Sequence, residues 1–350
     1  MTMSLRERFA SLDPVIVSIT LGLTVLGLIM LMSASGPVAF QRTGDSYYYV
    51  KRQLLHGVLP GVVLFFFFAL LDLRRWRRAA FLALIASIVL LVLVYLPGIG
   101  VIVNGSHGWL QFGPIRFQPS ELVKLTFLIY LSAWLAARQG SDAHDAETGL
   151  LPFLLSVGSI MLLLILQPDT GSMGVIVGTS VLLYFASGAP ITWFIGLCAL
   201  GLGGLWTLIK FSPYRAARFM TFLHPELDPK GIGYHINQAF LAIGTGGWFG
   251  LGYGHSRQKF LYLPEAESDS IIAVFAEEMV LIMTLLLIGV FAVLIWRCFT
   301  VARQQRDRFT SFIALGIGCW LGIQIFMNIG SMTGLLPITG VTLPFFSHGG

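Results

Sequence analysis

IIAVFAEEMVLIMTLLLIGVFAVLIW, residues 271–296, is long and apolar enough to cross a bilayer as one helix, yet it carries adjacent carboxylates at Glu277 and Glu278. Just upstream, residues 252–270 read GYGHSRQKFLYLPEAESDS, so three basic or histidine side chains and five carboxylates fall between Gly252 and Glu278. Ionisable groups are costly to hold in or beside hydrocarbon. The default reading of Asp269, Glu277 and Glu278 is therefore a functional site on a membrane helix bundle.

Composition extends this reading to the whole chain. Of 350 residues, 56% are hydrophobic and 11% charged, against about 25% charged in a soluble domain, and the mean hydropathy is +0.80. The fold class expected is all-α, a polytopic transmembrane bundle forming one integral membrane domain over residues 1–350. Further apolar runs at 14–32, 54–71, 79–96, 122–137, 150–166, 173–186, 191–209 and 312–329 bring the expected spans to nine. The first run is too long for the apolar region of a signal peptide and reads as an uncleaved anchor.

Charge orients the bundle. Arg6 and Arg8, the group Arg74, Arg75, Arg77 and Arg78, Arg138, and Arg297, Arg303, Arg306 and Arg308 all fall on one side if the amino terminus is cytoplasmic. The opposite side then carries segments 33–52, 97–120 and 167–171, the large extracytoplasmic loop 210–268 before span 8, and the tail after Ile329. Orientation accounts for much of the net charge of +5, so nucleic acid is not expected as a partner. The basic residues of the long loop, among them Arg215, Arg218 and Lys259, fit either an anionic ligand or a solvated surface. Residues 336–350 are loop chemistry with no closing span, and one more helix would return the chain to the cytoplasm.

Other chemistries find no footing. Cys198, Cys298 and Cys319 lack CxxC spacing, the histidines lack HxxxH or HExxH spacing, and the glycines of 231–254 form no phosphate-binding loop. No GxSxG motif supports a serine nucleophile. Asp269, flanked by serines before an apolar run, is in place to cap a helix. Glu277 lies about two turns further on, roughly 80° round from Asp269, and is the better placed of the two glutamates. Glu121 and Lys124 can pair at i,i+3, and Asp169 in QPDTG suits an Asx turn.

Several long segments then resemble one family. Residues 103–110 (VNGSHGWL), 116–124 (RFQPSELVK), 222–234 (FLHPELDPKGIGY), 242–247 (AIGTGG), 258–265 (QKFLYLPE) and 334–340 (GLLPITG) resemble, in order, the SEDS family of FtsW and RodA proteins. Residues 212–218 (SPYRAAR) and 256–259 (SRQK) are more similar to the cell-division branch than to the branch that maintains cell shape. Where the family commonly reads PEAHTDFIFAV this chain has PEAESDSIIAV over 264–274, so the aspartate stays and its neighbours change. Met279 and Val280 follow Glu278 where a glycine is usual, His107-Gly108 replaces a more basic pair, and the family's SYGGSS begins here as Ser347-His-Gly-Gly.

The resemblance implies a ten-helix glycosyltransferase of the bacterial cytoplasmic membrane. It polymerises lipid II, an undecaprenyl-diphosphate-linked disaccharide peptide, beside a class B penicillin-binding transpeptidase and other divisome membrane proteins. It makes Asp269 the essential carboxylate and places Arg116, Gln118, Glu121 and Lys124 in the substrate groove. A β-1,4 product from an α-linked donor requires inversion, with a base for the acceptor hydroxyl; Asp269 fits that role. Arg215, Arg218, Lys259 and Glu277 complete the expected substrate-binding set, and a divalent cation (Mg or Mn) bridging phosphate and carboxylate is an open expectation. A flippase for the lipid-linked precursor and a non-catalytic division scaffold are the rival readings.

Overall fold

Local chemistry sets the helix ends, and the first two helices run past the expected apolar runs 14–32 and 54–71 into the segment 33–52 read as an outer connection. In the computed structural model, which describes residues 12–71, 73–103, 106–113, 115–138 and 145–349, Asp13 caps α1 (Pro14–Thr43) by accepting from the backbone of Val15 and Ile16, with Pro14 in the first turn. Gly44 closes that helix in the left-handed conformation at φ 75. Arg6, Arg8, Asn104, Gly105, Pro114 and Gly350 lie outside the described residues. The other helices are α2 (Tyr48–Leu70), α3 (Ala80–Leu93), α4 (Pro119–Ala137), α5 (Ala146–Leu166), α6 (Thr170–Ala186), α7 (Ile191–Phe211), α8 (Pro213–Leu223), α9 (Ile232–Gly246), α10 (Ile271–Glu278), α11 (Leu281–Gln304) and α12 (Arg308–Met332).

All nine expected spans fall on helices. Seven of these are long and apolar enough to cross a membrane, and α3 and α6 are shorter apolar helices. The polytopic helical bundle is thus the architecture, with three departures in its detail.

First, the segment 97–120 is not wholly loop. It holds an antiparallel sheet of β1 (Gly100–Val103), β2 (Ser106–Phe112) and β3 (Ile115–Phe117) in the order β1-β2-β3. Gly113, at φ 59, turns the chain between β2 and β3, a conformation that costs glycine little. Second, the segment read as the long loop 210–268 contains α8 and α9. Their short apolar stripes, interrupted by glycine and charge, fall below the length of a span.

Third, the expected span 271–296 is broken. α10 ends at Glu278, Met279 is extended at φ −95 and ψ 158, and α11 begins at Leu281. The backbone carbonyls of Glu277 and Glu278 accept from Leu251 and Gly252, each at 2.9 Å, instead of from the next helical turn. Lateral bonding to the loop therefore replaces the continuation of the helix.

The described residues group into two units. One comprises α1, α2, Leu205–Arg297 and Gln324–Gly349; the other comprises Asp72–Gly204 and Cys298–Ile323. In the second, Leu91, Val123, Phe127, Leu131, Ile160, Leu183 and Tyr184 form the core, with Phe153 stacked on Tyr184 at 4.4 Å between ring centroids. In the first, the segment 341–348 is threaded through the interior. Phe346 is buried edge-on to Phe275 at 6.0 Å and tilted on Phe291 at 6.1 Å. Gly27 of α1 makes room for this segment, because a Cβ there would meet the backbone carbonyl of Phe345.

Candidate active site

Asp269 occupies the turn that delivers the chain into α10, within the first unit. The capping role that its position invites is not what the fold uses: the N-cap is Ser270, which makes no side-chain cap bond. Asp269 stands one residue too early, and the residue is only 7% exposed. Its Oδ1 is buried without a hydrogen-bond partner. An unpaired carboxylate oxygen in such a place is costly and calls for an explanation such as a catalytic role or a bound water or ion.

Local bonds fix the turn. The backbone N–H groups of Ser268 and Ser270 both donate to the carbonyl of Glu265, at 2.9 and 3.2 Å, and Glu265 itself sits at φ 49. The Ser270 hydroxyl donates to the Pro264 carbonyl at 2.9 Å, and His235 Nε2 on α9 lies 2.6 Å from the same hydroxyl oxygen. A carbonyl can only accept, so the serine proton points to Pro264 and Nε2 is the donor. Burial, with Arg218 nearby, lowers the His235 pKa to about 4 and keeps the ring neutral.

The electrostatics of the turn favour a protonatable acid. Burial, then the negative charge of Glu265, raises the Asp269 pKa to about 7; Glu267 adds to the effect and Arg218 opposes it. Burial also pushes Glu265 upward, reinforced by Glu267. The Glu267 carboxylate is buried 3.4 Å from Arg42 Nη1, which also donates to the Tyr49 hydroxyl at 2.8 Å. Arg218, on α8, donates to the Ile338 carbonyl at 3.4 Å, and Arg215 lies half-buried on the same helix. This arrangement can take a proton from a neutral hydroxyl near neutral pH, because a base is most effective when its pKa lies close to the working pH.

Glu277, Glu278 and Lys259 form a separate buried group. Lys259 Nζ donates to Glu278 Oε1 at 2.7 Å and lies 2.9 Å from Ser33 Oγ, while the Ser33 hydroxyl bonds the same carboxylate. Glu277 accepts from the Ser256 hydroxyl and from the backbone of Arg257 at 3.0 Å and Gln258 at 3.3 Å. Both glutamates are thus occupied in holding the segment around residues 256–259. The helical angle that separated them in sequence has no bearing on Asp269, which lies outside the helix.

The remaining expected residues lie in the second unit. Arg116, on β3, faces Gln111 across the ladder and donates to its Oε1 at 2.7 Å. Gln118 is the N-cap position of α4, and its Nε2 donates to Asp169 Oδ2 at 2.9 Å, as does the Ser120 hydroxyl at 2.9 Å. Asp169 also caps α6 through the Ser172 N–H at 3.0 Å, as its turn sequence suggests. Lys124 and Glu121 pair at 2.7 Å, and the lysine ammonium lies 5.5 Å from the centroid of the Trp320 ring.

Sequence reasoning missed Arg42, His235 and Asn328. Asn328 is fully buried on α12, and its amide donates to the carbonyls of Asp269 at 2.9 Å and Val341 at 2.8 Å. A lone asparagine inside an apolar run was the available signal. Among the described residues no group of three or more His, Cys, Asp or Glu is arranged to hold a metal ion.

The chain is similar to known proteins along nearly its whole length. A family profile described as a cell cycle protein, FtsW/RodA/SpoVE, matches residues 14–350. Stage V sporulation protein E of Bacillus subtilis is 42% identical over 338 residues, covering 97% of this chain and 92% of that protein. A protein of Nitrosococcus halophilus named probable peptidoglycan glycosyltransferase FtsW is 42% identical over 331 residues, covering 93% and 84%. Among solved structures, a chain from work on the structural coordination of polymerization and crosslinking by a peptidoglycan synthase complex superposes with a TM-score of 0.77 at 28% identity, covering 97% of this chain and 92% of that one. The rod shape determining protein RodA of Thermus thermophilus does so at 0.70 and 27%, covering 97% and 91%.

Proposed function

The chain belongs to the FtsW/RodA/SpoVE family of cell cycle proteins, and from that premise we propose how it works as a peptidoglycan glycosyltransferase of the bacterial cytoplasmic membrane. The activity itself follows from relatives of that name, 36 to 42% identical over most of the chain. The substrate in this reading is lipid II, and the active face is extracytoplasmic, as the arginine distribution suggests.

Asp269 is the general base. The acceptor sugar's C4 hydroxyl oxygen attacks the anomeric carbon of the donor, and its proton passes to the Asp269 carboxylate. The bond from that carbon to phosphate breaks, the diphosphate leaves with the electron pair, and an α-linked donor gives a β-1,4 product by inversion. Arg218 and Arg215 are the proposed stabilisers of the departing diphosphate, worth about 3 kcal/mol each where water is excluded. Arg116, Gln118, Glu121 and Lys124, matched to family motifs, are proposed substrate contacts.

A class B penicillin-binding transpeptidase is the proposed partner, along with other division membrane proteins. A structural relative drawn from a complex that coordinates polymerization and crosslinking supports this.

The observation that carries the reading is the buried, unpaired oxygen of Asp269. Its test is polymerisation of lipid II by the purified chain with and without the transpeptidase. Polymer made by the parent and abolished by Asp269→Asn is the expected result. Full polymer from the variant overturns the base assignment, and lipid scrambling without polymer favours the transporter.

A further inference from the structure

Three consecutive peptide carbonyls lead up to the carboxylate, and each is bound by a donor from the carboxyl-terminal part of the chain. The Glu267 carbonyl accepts from the His348 N–H at 2.8 Å. That of Ser268 accepts from the Ser347 hydroxyl at 2.6 Å. That of Asp269 accepts from Asn328 Nδ2 at 2.9 Å.

Each donor is itself fixed. Ser347 Oγ accepts from the Leu343 N–H at 2.9 Å while giving its only proton to Ser268. Asn328 Nδ2 bridges two carbonyls, of Asp269 and Val341, which can only accept. The amide therefore has one orientation, and it leaves Oδ1 buried and without a partner. His348 Nδ1 lies 3.0 Å from Gln53 Oε1, and the ring packs edge-on to Tyr49 at 5.0 Å. Burial lowers the His348 pKa to about 4, so over the neutral range the ring is uncharged and this attachment does not titrate.

Stability alone would be met by any apolar contact behind the turn. Here the donors lie in register with successive carbonyls and end at the reacting residue. Ser270, at φ −88 and ψ 4, passes straight into α10, so the turn that carries Asp269 is held by these bonds on one side and by the helix on the other.

We propose that Asn328 and Ser347 are positioning residues for the glycosyl transfer, holding the Asp269 peptide so that the carboxylate meets the acceptor hydroxyl. This rests on the reading of Asp269 as base. Neither residue touches substrate in this scheme. Loosening the turn misplaces the base, and an error of about 1 Å in a reacting group costs on the order of 100-fold in rate.

The test is steady-state polymerisation of lipid II by the full chain with its transpeptidase, comparing parent, Ser347→Ala, Ser347→Thr, Asn328→Ala and Asp269→Asn, with folded protein quantified by thermal unfolding in detergent. The expected result for Ser347→Ala is a kcat lower by about 10- to 100-fold with KM nearly unchanged, an undiminished folded fraction, and recovery of most of the rate in Ser347→Thr, which keeps the hydroxyl. If Asn328→Ala does not fold, the two serine variants decide the matter. Parent kcat per folded molecule in Ser347→Ala, with Asp269→Asn inactive, overturns the positioning role and leaves the base assignment standing. An active Asp269→Asn overturns both.

Discussion

Lys259 Nζ lies 2.7 Å from Glu278 Oε1 with both side chains almost fully buried, and Ser33 of α1 closes the group by bonding both partners. The pair joins the chain before the Asp269 turn to the helix after it. Removing one member strands the other's charge in the interior. Glu278→Leu or Lys259→Met is therefore expected to cost about 3 to 5 kcal/mol, while the double replacement Lys259→Met with Glu278→Leu costs much less than the sum. Thermal unfolding of the four proteins in detergent measures this coupling; additive losses would show that the two charges are independent.

The rate of polymerisation should depend on pH through Asp269. The carboxyl must be ionised to accept a proton, and its folded pKa of about 7 lies above the ordinary 3.8. The rate is accordingly low on the acid side and rises to a plateau above neutrality. Glu265 and Glu267 raise this midpoint and Arg218 lowers it, so Glu265→Gln should shift the rising limb to lower pH and Arg218→Gln to higher. A pH–rate series on the three proteins reads the order directly, and coincident limbs would remove Asp269 from the titration.

The same shift has an opposite sign for stability. Between the unfolded value and the folded one the native chain holds a proton that the unfolded chain has released, so this group's contribution falls as pH rises. Asp269→Asn never pays for that ionisation. Its unfolding temperature is expected to exceed the parent's above pH 7, about equal it near pH 4, and diverge in between.

Room, rather than helix propensity, decides which glycines of α1 can change. A Cβ at Gly27 would meet the Phe345 backbone, whereas one at Gly36 meets nothing within 4 Å. Gly27→Ala should displace the segment 341–348, lower both stability and kcat, and speed hydrogen exchange in the peptide carrying Ser347. Gly36→Ala should leave all three near the parent values. Equal behaviour of the two would mean that the close approach is not maintained in the membrane.

In the second unit, Asp169 serves three donors at once, the Ser172 N–H, the Gln118 amide and the Ser120 hydroxyl. Asp169→Ala removes a helix cap and unties the start of α4. A loss of about 1 kcal/mol is expected from the cap alone, more than from Asp169→Asn, which keeps one acceptor oxygen. Chemical unfolding of the pair tests the order.

The sequence by itself determined the helix bundle and the residues to suspect. Bilayer thickness translates directly into the length of an apolar run, so 14–32, 191–209 and 312–329 declared themselves locally. The start of α1 at Pro14 coincides with the start of the run 14–32, whereas its continuation to Thr43, past the expected end at 32, was not read from the sequence. Asp269 was legible because a carboxylate beside hydrocarbon is costly wherever the chain takes it. The Glu121–Lys124 pair was legible because i,i+3 neighbours on a helix must meet.

Only the tertiary structure decided what those charges do. Glu277 and Glu278 stand side by side in an unbroken apolar run, and nothing local reveals that their carbonyls are taken by Leu251 and Gly252, ending α10. Nothing near Asp269 announces that Asn328 and Ser347, far along the chain, bind its own carbonyl and the one before. Such bonds depend on which backbone groups folding brings together. Whether an acid is a cap, an ion-pair partner or a carboxylate with an unpaired oxygen is set by that arrangement, since desolvation and neighbouring charge are properties of a place rather than of a residue.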